Sequence, residues 1–241
     1  MRNLILAASL VFIPAVSWAY PSNCGVAVIA GGAERPEYFA NGTTYIEALR
    51  GRNYTLRLTN PTAFRVAVAL SVDGLNTIDA RHTDAWSASK WVLEPYESVD
   101  TDGWQVSDST ARRFVFTGER QSYGAALGQT ENLGVIEAVF YRERSRYIAE
   151  ERERAAAPPP LAAAQPKASS DDYAATGMGD RTPHDVTNVD IDLDPQPIRS
   201  VRIRYEFRAQ LVKLGVLPSN PSPLERREKA RGFERYCPEK N

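Results

Sequence analysis

"RVAVALSVDGLNTIDARH", residues 65–82, decides the fold and also raises the functional question. Val66, Val68, Leu70 and Val72 fall on one side of an extended chain, with Arg65, Ala67, Ala69 and Ser71 on the other. That period of two marks a strand with one face buried. Asp73-Gly74 follows where the chain must reverse, because Gly tolerates positive φ and Asp can bond its own backbone. Asp79, His82 and Asp84 come next and, with Asp73, gather carboxylates around one of only two histidines. Such residues can act as general acid and base or ligate a metal. A zinc site needs about three or four ligands, however, and the second histidine, His184, lies beyond the linker. The expected reading is a hairpin turn with solvated polar neighbours. The rival reading is a hydrolase site built from Asp73, Asp79, His82 and Asp84.

Outward from this stretch the same grammar repeats. Tyr54-Thr55-Leu56-Arg57-Leu58 alternates and is closed by Asn60-Pro61-Thr62. Further strand-like runs occupy residues 90–93, 97–99, 112–117 and 133–142. The last, "LGVIEAVFYR", is nearly continuous in apolar character, which predicts a central strand covered on both faces. Composition then changes: residues 143–175 are first rich in Arg and Glu and then in Ala and Pro, predicting a disordered linker with nothing to bury.

Strand patterning resumes in "VDIDLDPQPIRSVRIRYEFR", residues 189–208. Val189, Ile191 and Leu193 share one face, as do Val201, Ile203, Tyr205 and Phe207, with Pro195-Gln196-Pro197 between them. This predicts a hairpin whose wet face sets Asp190, Asp192 and Asp194 against Arg202, Arg204 and Arg208, with Glu206 as the exception. Two strands do not stand alone in water, so residues 176–217 are expected to complete the sheets begun by residues 24–142. The predicted fold class is all-β, an antiparallel β-sandwich of jelly-roll-like or immunoglobulin-like type, with a polar C-terminal tail over residues 218–241.

The N-terminus predicts export. A positive start at Arg2, an apolar run over residues 4–16 and Ser17-Trp18-Ala19 make a signal peptide, residues 1–19, cleaved after Ala19. A retained anchor and a lipoprotein at Cys24 are the alternatives, opposed by Pro14 and by the lack of small residues before Cys24. Cleavage removes Arg2, so the formal charge moves from -1 to -2, which favours neither nucleic acid nor an anionic membrane as partner. No transmembrane segment is expected in the mature chain. Only two cysteines exist, and in an oxidising compartment Cys24 and Cys237 are expected to pair; free thiols or a bond to another chain are the alternatives.

Other motifs fail on their own geometry. Ser87-Ala88-Ser89-Lys90 matches S-x-x-K without the partner motifs of a penicillin-binding site. Asp190-x-Asp192-x-Asp194 opens like a calcium loop but places Pro195 where glycine is required. Gly177-Met178-Gly179 lacks the third glycine of a dinucleotide loop. No cofactor is implied. The aromatics Trp86, Trp91, Tyr96 and Trp104 could stack on a sugar or grip a peptide, or could simply cap the core.

The segments "VALSVDGLNTIDA", "KWVLEPYESVDTDGWQ", "ARRFVFT", "SYGAALGQTENLGVIEAVFYRE" and "VRIRYEFRAQLVKLGVLP" together resemble an uncharacterised family of exported bacterial β-rich proteins. The resemblance implies a periplasmic or secreted protein and brings no activity, cofactor or catalytic residue. The functional expectation is a non-catalytic binding or assembly module for a protein or glycan at the cell envelope or outside the cell. The alternatives are the hydrolase and a structural subunit of an extracellular assembly.

Overall fold

A computed structural model describes residues 23–144 and 172–219. The expected signal peptide, most of the linker, most of the tail and Cys237 lie outside these residues. The described chain forms fourteen strands: β1 (Gly25–Ala30), β2 (Ala33–Glu34), β3 (Glu37–Ala40), β4 (Thr43–Ala48), β5 (Asn53–Thr59), β6 (Val66–Val72), β7 (Leu75–Asn76), β8 (Trp91–Leu93), β9 (Ser98–Thr101), β10 (Gly103–Ser107), β11 (Thr110–Gly118), β12 (Val135–Glu143), β13 (Ala174–Pro183) and β14 (Leu193–Phe207). Two short helices, α1 (Tyr123–Ala126) and α2 (Arg208–Lys213), complete it.

The strands make an all-β sandwich of two sheets. The first runs β10-β11-β5-β1-β2, with β13 also on β11 and β9 also on β5. The second runs β3-β4-β14-β12-β6-β7, with β8 also on β6. Every pairing is antiparallel except β14 with β4, which is parallel. The alternation in residues 65–72 sets the inward face: Val66, Val68, Leu70 and Val72 are buried, with Ile136, Phe140, Ile203 and Tyr205 beside them. Leu56, Leu58, Phe114, Phe116 and Trp104 face them from the first sheet. Removing such side chains from water stabilises the fold by roughly 1.5–3 kcal/mol each before entropy is counted. As expected, "LGVIEAVFYR" is central, with β12 paired on one edge to β14 and on the other to β6.

The Asp73-Gly74 turn forms as its residues dictate. Val72 pairs with Leu75, and the two turn residues take φ of 54° and 75°, the left-handed pair that a two-residue hairpin requires. The later hairpin does not form. Residues 193–207 make one strand, β14, running straight through Pro195 and Pro197. Register shifts against Tyr141 absorb the extra residues as bulges, where a missing N–H can be tolerated, and β4 reaches β14 only from Ile203 onward. The expected charge ladder is redistributed with it. Arg202 pairs with Glu137 at 2.9 Å, Arg208 with Glu47 at 3.5 Å, and Arg144 with Asp192 at 3.8 Å.

Structure also begins earlier than expected after the linker, since Ala174 and Ala175 already belong to β13 on β11. Two covers then lie on the outer face of the second sheet. The loop over residues 77–90 sets Ala85 and Ala88 against Ala69, Val139 and Tyr141. At the other side, Leu211 of α2 and Leu217 pack with Tyr45. Cys24 is buried at the start of β1, beside Asn60.

Candidate functional site

The four acid/base candidates are separated rather than assembled. Asp73 turns inward. Its Oδ1 accepts from Gly134 N at 2.8 Å and from the Tyr205 hydroxyl at 2.5 Å, and its Oδ2 accepts from Thr176 N at 2.7 Å. Thr176 Oγ1 lies 2.5 Å from Tyr205 Oη and 2.7 Å from Tyr54 Oη, so the chain of hydroxyls crosses from one sheet to the other. Burial lifts the Asp73 carboxyl to about 7, against the pull of the Tyr205 hydroxyl and the Thr176 and Gly134 amides.

The other three stay on the loop. Asp79 accepts from Arg81 N at 3.0 Å and from Ser89 Oγ at 2.8 Å. Asp84 accepts from Ser87 N and Trp86 N, each at 3.0 Å, and the Ser87 amide is the main cause of its lowered pKa. The Nδ1 of His82 lies 3.0 Å from Gly74 O, an oxygen that only accepts, so Nδ1–H donates there and Nε2 is left to the groove. Among the described residues no hydrogen bond or ion pair joins a carboxylate to the imidazole, so Asp73, Asp79 and Asp84 do not form an acid/base pair with it. Among the described residues no three His, Cys, Asp or Glu side chains come together to hold a metal ion. Lys90 donates to the carbonyls of Trp86 and Ala88, not to Ser87.

The aromatic quartet is dispersed as well. Trp104 is 1% exposed, its ring edge-on to Phe114 at 4.8 Å and to Tyr123 at 5.1 Å, so it is core and not a binding surface. Trp91 is partly buried, its Nε1 donating to Thr77 Oγ1 at 2.9 Å and its ring against His184. Trp86 is 46% exposed over Tyr141, with Lys90 lying over both rings. Tyr96 is 65% exposed at a positive-φ turn. None of the four packs on another.

A cavity of about 400 Å³ instead opens on the outer face of the second sheet, between the sheet and the loop over residues 77–90. The strand registers write its floor. Arg202 of β14 stands beside Glu137 of β12, Glu137 beside Ser71 of β6, and Ser71 beside Asn76 of β7. On one side of this row Arg204 neighbours Val135; on the other, Val139 neighbours Ala69. His82, Thr83, Ala85 and Asn132 line it further. The small side chains Ala69, Ser71, Ala85 and Ala88 are what leave the room.

The polar groups of this groove differ from those of the loop beside it. In the loop, Asp79, Asp84 and Lys90 are all bonded internally, and Asn76 of the groove floor is tied to the same loop through Ile78 N and Ser89 O. In the groove, Arg202 and Glu137 engage each other. The side chains of Thr43, Ser71, Thr83, Asn132 and Arg204 make no hydrogen bond among the described residues. His82 was visible in the sequence as a candidate. Ser71, Glu137, Asn132 and Arg204 were not, because only the pairing of three distant strands puts them in one place.

Compared with protein-family models, curated proteins and solved structures, the chain gives no significant match. The groove is therefore read on its own chemistry. Among the described residues no helix is long and apolar enough to cross a membrane.

Proposed function

We propose that this chain is an exported, non-catalytic binding module acting at the bacterial cell envelope or outside the cell, and that its ligand sits in the groove on the outer face of the second sheet. One observation carries the reading. A concave site of ligand size holds five polar side chains, Thr43, Ser71, Thr83, Asn132 and Arg204, that make no hydrogen bond among the described residues, beside a loop whose Asp79, Asp84 and Lys90 are engaged. Export is supported by the residues of the N-terminus, and the bacterial setting by the resemblance of the segments quoted above. The dispersal of Asp73, Asp79 and Asp84 away from His82 weighs for binding over hydrolysis.

The test is saturation-transfer NMR of soluble envelope glycans and peptides against the protein and against Ser71→Trp, which fills the groove from a position facing away from the core. A component that receives saturation from the first and not from the folded variant supports the reading. Binding that survives in Ser71→Trp overturns it. So does hydrolysis of an ester, glycoside or peptide that falls with His82→Ala.

A further inference from the structure

Resting on the groove reading, we infer that the ligand is an acidic sugar, a uronate-type ring whose carboxylate is held by Arg204 and whose hydroxyls meet the unengaged groups around it. Four side chains of the lining can be charged: Glu137, Arg202, Arg204 and His82. Glu137 and Arg202 neutralise each other at 2.9 Å. Arg204 forms no ion pair among the described residues. Its acidic neighbour, Glu206, lies on the same face of β14 and is turned to Ala174 N, whose proton Oε2 accepts at 3.2 Å. Glu206 feels the Arg204 charge only from beyond ion-pair distance, so the N–H donors of this guanidinium stay open among the described residues, and its planar fork matches a carboxylate.

The rest of the lining fits a polyol. Hydroxyls at Thr43, Ser71 and Thr83 both donate and accept, the Asn132 amide does the same, and the Nε2 edge of His82 adds a further polar group. Val135, Val139 and Ala69 supply apolar contact for ring C–H groups. No Trp, Tyr or Phe ring lines the groove, so a neutral hexose lacks the broad stacking face that would hold it, and the charge must supply the selectivity.

The experiment titrates the full chain with sodium glucuronate, with the methyl ester of glucuronic acid, and with glucose, following the backbone amides of Gly74 and Val135 by NMR. The expected result is saturable shifts with glucuronate, at least tenfold tighter than with the ester or glucose. Arg204→Gln should remove that tenfold preference, and Arg204→Lys should retain part of it; Arg204 faces outward, so both variants keep the core. Equal binding of acid and ester overturns the acidic-sugar inference while leaving the groove a binding site. No saturable shift with any of the three overturns the inference too, and the broader envelope screen against Ser71→Trp then decides the groove reading by itself.

Discussion

The hydroxyl of Tyr205 donates to Asp73 Oδ1 at 2.5 Å in the space between the sheets, joining residues 132 positions apart. With the carboxylate ionised, the remaining protons follow: Thr176 donates to Tyr205 and Tyr54 donates to Thr176, so each hydroxyl of the chain is satisfied. The arrangement ties Asp73 and Tyr205 of the second sheet to Thr176 and Tyr54 of the first.

Stability should fall as pH rises through this network. Burial raises the Asp73 carboxyl from 3.8 to about 7, so between these values the native state holds a proton that the unfolded chain has released. The contribution is fully present below about pH 4 and lost by the time the pH passes about 7, a change of a few kcal/mol. Urea denaturation at pH 5 and pH 8 should show the loss. Asp73→Asn, which tolerates the positive φ, should show a smaller one, the remainder coming from Glu206 and Glu37, whose pKa values burial also raises.

Removing the donor should cost more than removing the end of the chain. Tyr205→Phe leaves a buried carboxylate with one fewer hydrogen bond, at about 2–3 kcal/mol; Tyr54→Phe removes only a neutral bond to Thr176, at about 1 kcal/mol. Tyr205→Phe should also move the Asp73 transition to higher pH, because the Tyr205 hydroxyl is the strongest group holding that pKa down. Denaturant midpoints across pH measure both effects.

The tryptophans should divide sharply. Trp104→Ala opens a hole beside Phe114 and Tyr123 and should cost about 3–5 kcal/mol. Trp86→Ala, on an exposed ring, should cost less than about 1 kcal/mol. Equal losses of thermal stability would contradict the placement of Trp104 in the core.

Two glycines should differ in the same way. A Cβ on Gly103 would stand 1.8 Å from the carbonyl oxygen of Arg112, backbone that β11 holds in place, so Gly103→Ala should prevent folding of the first sheet. Gly128 has φ of 72° with open space around it, and Gly128→Ala should cost only the left-handed strain of about 1 kcal/mol. Circular dichroism on heating distinguishes the two.

Local pattern made the strands legible where alternation and a turn residue agree, as in β5, in β6 with Asp73-Gly74, and in the doubly covered β12. It misled at Pro195-Gln196-Pro197, because proline reads as a break unless the strand's other edge is free and a bulge absorbs the residue, and both conditions are set by distant partners. It missed α2, whose six residues are too short to show a helical period and are placed by Tyr45. The role of Asp73 was hidden for the same reason. A turn aspartate is ordinarily solvated, and only Tyr205 and Thr176, far along the chain, draw this one into the interior. The groove is nonlocal throughout, since its lining takes residues from five strands, β4, β6, β7, β12 and β14.

The position of β14 governs how the molecule can assemble. It lies between β4 and β12, so without it the second sheet is two separate pieces. The layer therefore cannot close until residue 207 is available, and β14 must find two partners widely separated from it in sequence, the kind of contact that slows folding. Until then the edges of β4 and β12 stay open to pairing with other chains.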